Sequence, residues 1–122
     1  MKYFNPAEFA CKHCGENKMD AAFLAELDEL RARCGFPLSV TSGYRCPTHN
    51  QAVSTTGPDG PHTTGSAVDF GVRGVQALEV IRHAMLMGFT GIGVQQKGVT
   101  RFIHIDNLPN APGQPRPTIW SY

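Results

Sequence analysis

Three side chains able to hold a divalent cation stand out. His62 and Asp69 close the two ends of His62-Thr63-Thr64-Gly65-Ser66-Ala67-Val68-Asp69, and His104 sits in the apolar run Phe102-Ile103-His104-Ile105. Two imidazoles and one carboxylate form a three-ligand set for zinc, with a fourth position left for water. Asp69 lies between Val68 and Phe70, where an ionised carboxylate is costly unless it is paired or bound to a cation. In a strand from Arg101 to Asp106, alternation sends Phe102, His104 and Asp106 to one face, and Ile103 and Ile105 to the other. The isoleucines then face the core while His104 and Asp106 face a cleft. The simpler reading of His104 is a half-buried sheet histidine hydrogen-bonded to Asp106.

The elements that must position these residues follow from periodicity. Asp20 is a helix N-cap, and Phe23, Leu24, Leu27 and Leu30 make an apolar stripe on a helix running to about Arg33. Cys34-Gly35 and Pro37 end it. Leu38 to Thr41 reads as a strand, and Ser42 to Pro47 as a turn. A short helical turn is expected from Thr48 to about Val53, then a polar surface loop from Ser54 to Gly65. Ala67 to Val72 is a second strand. Gly74 to Met87 is a second helix, with Val75, Leu78, Ile81 and Met85 on its apolar face, Val80 and Ala84 at the border, and Gly88 as terminator. Strands around Ile92–Val94 and Arg101–Asp106 flank a turn at Gln95–Gly98. Strands and helices do not alternate strictly, which predicts an α+β domain, a mostly antiparallel sheet with helices packed on one side. One domain is expected over residues 1–122, with a loop-rich segment at 1–19 and a proline-rich tail at 107–122. That tail cannot form sheet interior, yet its aromatics at Trp120 and Tyr122 predict that it folds back onto the body.

Hydrophobic residues make up 41% of the 122 residues and charged ones 17%, the balance of a globular chain rather than a disordered one. A net charge of +1 gives no electrostatic bias towards nucleic acid or an anionic membrane. No apolar run approaches the roughly 20 residues of a bilayer span, and Met1 to Pro6 lacks the apolar core of a secretory signal. The four cysteines, Cys11, Cys14, Cys34 and Cys46, allow a structural zinc site with four thiolates, two disulfides, or free thiols.

Taken in order, Ser42-Gly43-Tyr44-Arg45 with Pro47 and His49-Asn50, then H-x6-D with Gly65 and Ala67 inside it, then Phe102-Ile103-His104-Ile105-Asp106, resemble the zinc D-Ala-D-Ala carboxypeptidases. That group includes peptidoglycan peptidases of bacteria and phages, vancomycin-resistance D,D-dipeptidases and the fold of the hedgehog signalling domain. The resemblance covers about Asp20 to Asp106 and is greatest for the short branch of phage and prophage genes. It implies that His62, Asp69 and His104 bind one zinc ion, and that Arg45 stabilises a substrate carbonyl or carboxylate. A guanidinium suits that role because it presents a fixed fork of donors. Ser42 and Tyr44 would position Arg45 or line the pocket, and His49 would add a hydrogen bond. Several relatives place an acid three residues before the second zinc histidine, where this chain has Arg101, and others a histidine where it has Phe102. Arginine cannot act as a general base at neutral pH, so Asp106 is the nearest candidate. Orienting His104 from behind is the competing role for Asp106.

The expected function is hydrolysis of peptide bonds in peptidoglycan stems or cross-bridges, by a monomer acting on the cell wall after release or export. Two other readings compete. One is a non-catalytic wall-binding or phage structural module on the same fold. The other is a redox or metal-sensing protein organised on the cysteines.

Overall fold

The alternation in Phe102–Asp106 becomes the central strand of a five-stranded mixed sheet in a computed structural model describing residues 1–122. In chain order the elements are α1 (Ala21–Cys34), β1 (Ser39–Ser42), α2 (Pro47–Val53), β2 (Ala67–Gly71), α3 (Gly74–Met87), β3 (Gly91–Gln95), β4 (Phe102–Asp106) and β5 (Thr118–Ser121). The strands lie in the order β1-β2-β4-β3-β5. Every pairing is antiparallel except that of β5 with β3. The α+β class and its mostly antiparallel sheet are therefore those read from the sequence.

One face of the sheet carries Val68, Phe70, Ile92, Ile103 and Ile105, all buried in the hydrophobic core with Phe23, Leu27 and Leu30 of α1. The Asp20 carboxylate accepts from the Phe23 amide at 2.9 Å, and Gly35 takes the left-handed conformation that closes α1. The N-terminal segment adds Phe4 and Phe9 to the same core. Its backbone is further held where the Asp28 carboxylate accepts the amides of Lys2 and Tyr3.

Two expectations need correction. Helix α3 does not present Val75, Leu78 and Met85 to the core: these are 75%, 63% and 65% exposed, whereas Ala77, Val80 and Ala84 are buried and Ile81 is partly so. The helix is apolar around more than half its circumference, so periodicity offers two stripes. The stripe with two alanines is the one that packs inward. The tail, in turn, does more than fold back. Its last residues form the edge strand β5, hydrogen-bonded in parallel to β3, while the prolines stay in the loop that precedes it.

Candidate metal centre and cleft

The opposite face of the sheet carries the polar residues, and register brings them into one row. Ser42 stands opposite Asp69, Asp69 opposite His104, His104 opposite Gly93, and Gly93 opposite Trp120. Residues directly opposite in a sheet have side chains about 5 Å apart. Asp69 and His104 are thus neighbours because β2 pairs with β4, although 35 positions separate them in sequence. His62 arrives differently. The loop expected to be a polar surface segment contains two short 3-10 turns, Gly57–Asp59 and Pro61–Thr63, and the second turns His62 inward until it is only 5% exposed.

His62 Nε2 lies 3.2 Å from Asp69 Oδ1, and His104 Nδ1 lies 3.1 Å from the same oxygen. The second nitrogen of each ring is also engaged: His62 Nδ1 is 2.9 Å from the Gly43 carbonyl, and His104 Nε2 is 2.7 Å from Asp106 Oδ2. A ring that donates to an oxygen at one nitrogen turns the lone pair of the other toward the shared centre. Tetrahedral zinc with ligands at about 2.0–2.1 Å holds its donor atoms roughly 3.3 Å apart, close to the spacing found here. The three residues therefore fit a single zinc ion. Burial favours protonation of Asp69, but hydrogen bonds from His104 and His62 outweigh it and hold the carboxyl far below its ordinary range. Burial alone would lower the pKa of His104, yet its bonds to Asp106 and Asp69 raise it.

Asp106 lies behind the cluster, on the far edge of the His104 ring, and is fully buried. Arg116 Nε and Nη2 contact its two oxygens at 2.9 and 2.8 Å. These bonds and that of His104 overcome the effect of burial and lower its pKa to about 2. With both oxygens engaged, this geometry suits orientation of His104 better than proton transfer. Arg101, at the position where several relatives carry an acid, donates instead to the Gly98 carbonyl in the β3–β4 turn.

Arg45 is brought to the cluster. Its Nη2 is 3.6 Å from Asp69 Oδ2, Nε donates to Ser42 Oγ at 3.1 Å, and Nη1 donates to Asn50 Oδ1 at 3.2 Å. Tyr44 and His49 are not brought there. Tyr44 is buried beneath the N-terminal segment, its amide bonded to the Phe9 carbonyl, and His49 stacks on His13. Tyr44 precedes Arg45 in an extended stretch, where successive side chains face opposite sides, whereas His49 lies on α2 and takes no part in lining the cleft. Of the cysteines, Cys11, Cys14 and Cys46 cluster, whereas Cys34 packs against the core near α3. A site of four thiolates does not form.

An open cleft of about 1070 Å³ runs over this face, lined by Arg45, His62, Asp69 and His104 together with the aromatic residues Phe102, Trp120 and Tyr122. Its acidic lining residues are Asp69 and Asp59, the latter from the loop before His62. Arg116 escaped the sequence reading, and Asn50 entered it only as part of the His49-Asn50 motif, with no role of its own. Asn50 is fully buried and ties Arg45 to the loop through Thr56 Oγ1 at 2.8 Å and the Gly57 carbonyl. Arg116 carries no local signal, since only the return of the tail brings it to Asp106. A signal did exist in Gly91-Ile92-Gly93-Val94, whose alternating glycines leave one strand face bare. A Cβ at Gly91 would strike the Asp106 carboxylate, and one at Gly93 would come within 2.8 Å of the Trp120 indole.

A family model described as Peptidase M15 matches residues 2–106, ending at Asp106 and leaving Arg116, Trp120 and Tyr122 beyond the matched span. No curated protein matches the chain.

Proposed function

The chain belongs to the peptidase M15 family, metallopeptidase hydrolases, and from that premise we propose that it is a zinc-dependent enzyme cleaving peptide bonds of bacterial peptidoglycan. The observation that carries the proposal is the convergence of His62 Nε2 and His104 Nδ1 on one oxygen of Asp69, each ring held by a bond at its other nitrogen. His62, Asp69 and His104 would hold the metal. Zinc bound there supplies Lewis acidity, lowering the pKa of a water from 15.7 to roughly 7 and polarising a scissile carbonyl.

The chain's own groups do the rest. Arg45, steadied by Ser42 and Asn50, has its guanidinium at the edge of the cluster, where it can clamp a peptide carboxylate or stabilise a developing oxyanion. Asp106 fixes the ring of His104, and Arg116 fixes Asp106. Asp59, exposed on its loop, is the carboxylate lining the cleft outside the ligand set and so the candidate for proton transfer. Phe102, Trp120 and Tyr122 give the cleft an aromatic wall against which the aliphatic part of a stem peptide can lie. Either D,D-carboxypeptidase or endopeptidase action fits such an open groove. Acting on the wall, as a monomer of the short phage-type branch, requires release or export.

The test is digestion of purified peptidoglycan and of synthetic stem peptides. The expected result is cleavage that a chelator abolishes and zinc restores. Zinc-loaded protein that leaves every substrate intact would overturn the proposal. A second reading, a wall-binding module without turnover, draws support from Arg101 at the position where several relatives carry an acid. Such a protein would bind peptidoglycan sacculi and release no peptide.

A further inference from the structure

On the other side of the Arg45 loop lies a second group of metal-ligating side chains. The N-terminal turn Cys11-Lys12-His13-Cys14-Gly15 folds against Cys46, the N-cap of α2, and the sulfurs of Cys11, Cys14 and Cys46 all lie within 4.8 Å of one another. Backbone amides point at two of them. The Cys46 amide donates to Cys11 Sγ at 3.3 Å, and the His49 amide donates to Cys46 Sγ at 3.4 Å. Gly15, at a φ of +78°, closes the turn by donating to the Cys11 carbonyl at 2.8 Å. His13 Nδ1 stands 3.5 Å from Cys46 Sγ, with the His49 ring stacked on it at 5.7 Å.

We propose that Cys11, Cys14, Cys46 and His13 form a second, structural zinc site of three thiolates and one imidazole. Tetrahedral zinc with Zn–S bonds near 2.3 Å places its sulfurs roughly 3.8 Å apart, so the three sulfurs need to contract by less than about 1 Å, while His13, which approaches Cys46 but not all three sulfurs as closely, has to swing in to complete the set. Three converging thiols fit a metal better than a disulfide, which joins two sulfurs and leaves the third without a partner. Amide donors aimed at sulfur favour the thiolate over the thiol, which is the form a metal binds. A ligand set completed by protein groups has no open position, the mark of a structural rather than a catalytic zinc.

The position of the cluster gives it a task. Residues Gly43 to Cys46 lie between the two centres: the Tyr44 amide bonds the Phe9 carbonyl at 2.8 Å, the Arg45 amide bonds the His62 carbonyl at 3.0 Å, and the Gly43 carbonyl meets His62 Nδ1. A metal on the cysteines would fasten the N-terminal segment to the loop that presents Arg45 and orients His62. The site stands independently of the peptidase proposal, because its ligands are not those of the cleft.

The experiment is metal analysis and cobalt substitution of the full chain purified under reducing conditions. Two zinc ions per chain are expected in the wild type and in Cys34→Ser, and one in Cys14→Ser and in His104→Ala. Cobalt in the wild type and in His104→Ala should give the intense near-ultraviolet sulfur-to-metal absorption of a thiolate site, which Cys14→Ser should lose. His13→Ala should release the thiolate-bound metal to a chelator that leaves the wild type loaded. A wild-type cobalt spectrum without the sulfur band overturns the site whether or not any variant folds. So does a disulfide between two of Cys11, Cys14 and Cys46. Unchanged metal retention in His13→Ala overturns the assignment of the fourth ligand. Loss of hydrolysis alone, with the sulfur band present, counts against the peptidase reading and leaves this site standing.

Discussion

The Arg116 guanidinium closes on both carboxylate oxygens of Asp106, at 2.9 and 2.8 Å, and Asp106 in turn meets His104 Nε2 at 2.7 Å. The tail of the chain thereby reaches the candidate metal centre through two intermediaries. This chain of contacts also separates two roles for Asp106, since a carboxylate held by a bidentate arginine and an imidazole orients rather than accepts a proton.

Asp106→Asn should therefore weaken zinc binding by about 10–100-fold, the usual cost of losing a partner behind a metal-bound histidine. Turnover at saturating zinc should recover much of the wild-type value. Chelator competition and kcat at saturating zinc check this; a normal zinc affinity with abolished turnover would assign Asp106 the base role after all.

Arg116→Ala leaves the Asp106 charge buried without its guanidinium, a situation that costs roughly 3–5 kcal/mol. Urea unfolding should show that loss. The change also removes the guanidinium from the Trp120 ring, 5.0 Å away, so tryptophan fluorescence of the folded variant should shift.

Asp59→Asn should reduce kcat by about 10²-fold or more while leaving zinc content unchanged, if Asp59 carries the proton. Arg45→Lys should reduce kcat/KM on a similar scale, because an ammonium cannot reproduce the fork that meets Ser42, Asn50 and Asp69 together. Zinc content again serves as the control in each case.

Proton linkage gives a signed prediction for the metal-free chain. The pKa of His104 is raised above 6.5, so its contribution to stability is present below pH 6.5 and is lost as pH climbs through the folded value. The pKa of Asp106 is lowered from 3.8 to about 2, so its contribution is present above pH 3.8 and is lost as pH falls towards 2. Denaturation in the presence of chelator should find greatest stability between those limits. Zinc affinity should run the other way and increase with pH, because the metal must displace the His104 proton. Metal-free protein that becomes more stable from pH 6 to 8 would contradict the pairing.

Gly93→Ala should cost about 1–3 kcal/mol, the range for overpacking, because the new methyl group meets the Trp120 ring and the Cβ of His104. Thermal or urea unfolding measures it. A neutral result would mean that β5 is free to shift away from β3.

Local pattern determined much of this protein. The stripe Phe23-Leu27-Leu30 with its Asp20 cap specified α1, because capping and 3.6-residue periodicity act within a few residues. Alternation in Phe102–Asp106 specified which side chains of β4 face the core, since the pleat has a period of two. The residue types and the ordered set of motifs single out His62, Asp69 and His104 as candidate ligands. Tertiary structure decided what depends on distant segments meeting. The pairing of β2 with β4 put Asp69 opposite His104, and the parallel docking of β5 brought Arg116 to Asp106 and Trp120 to Gly93. Packing chose between the two apolar stripes of α3, and the fold of the N-terminal turn drew Cys11 and Cys14 to Cys46 while leaving Cys34 against the core. Such contacts join residues tens of positions apart, and their energies come from burial and register that no short stretch of chain contains.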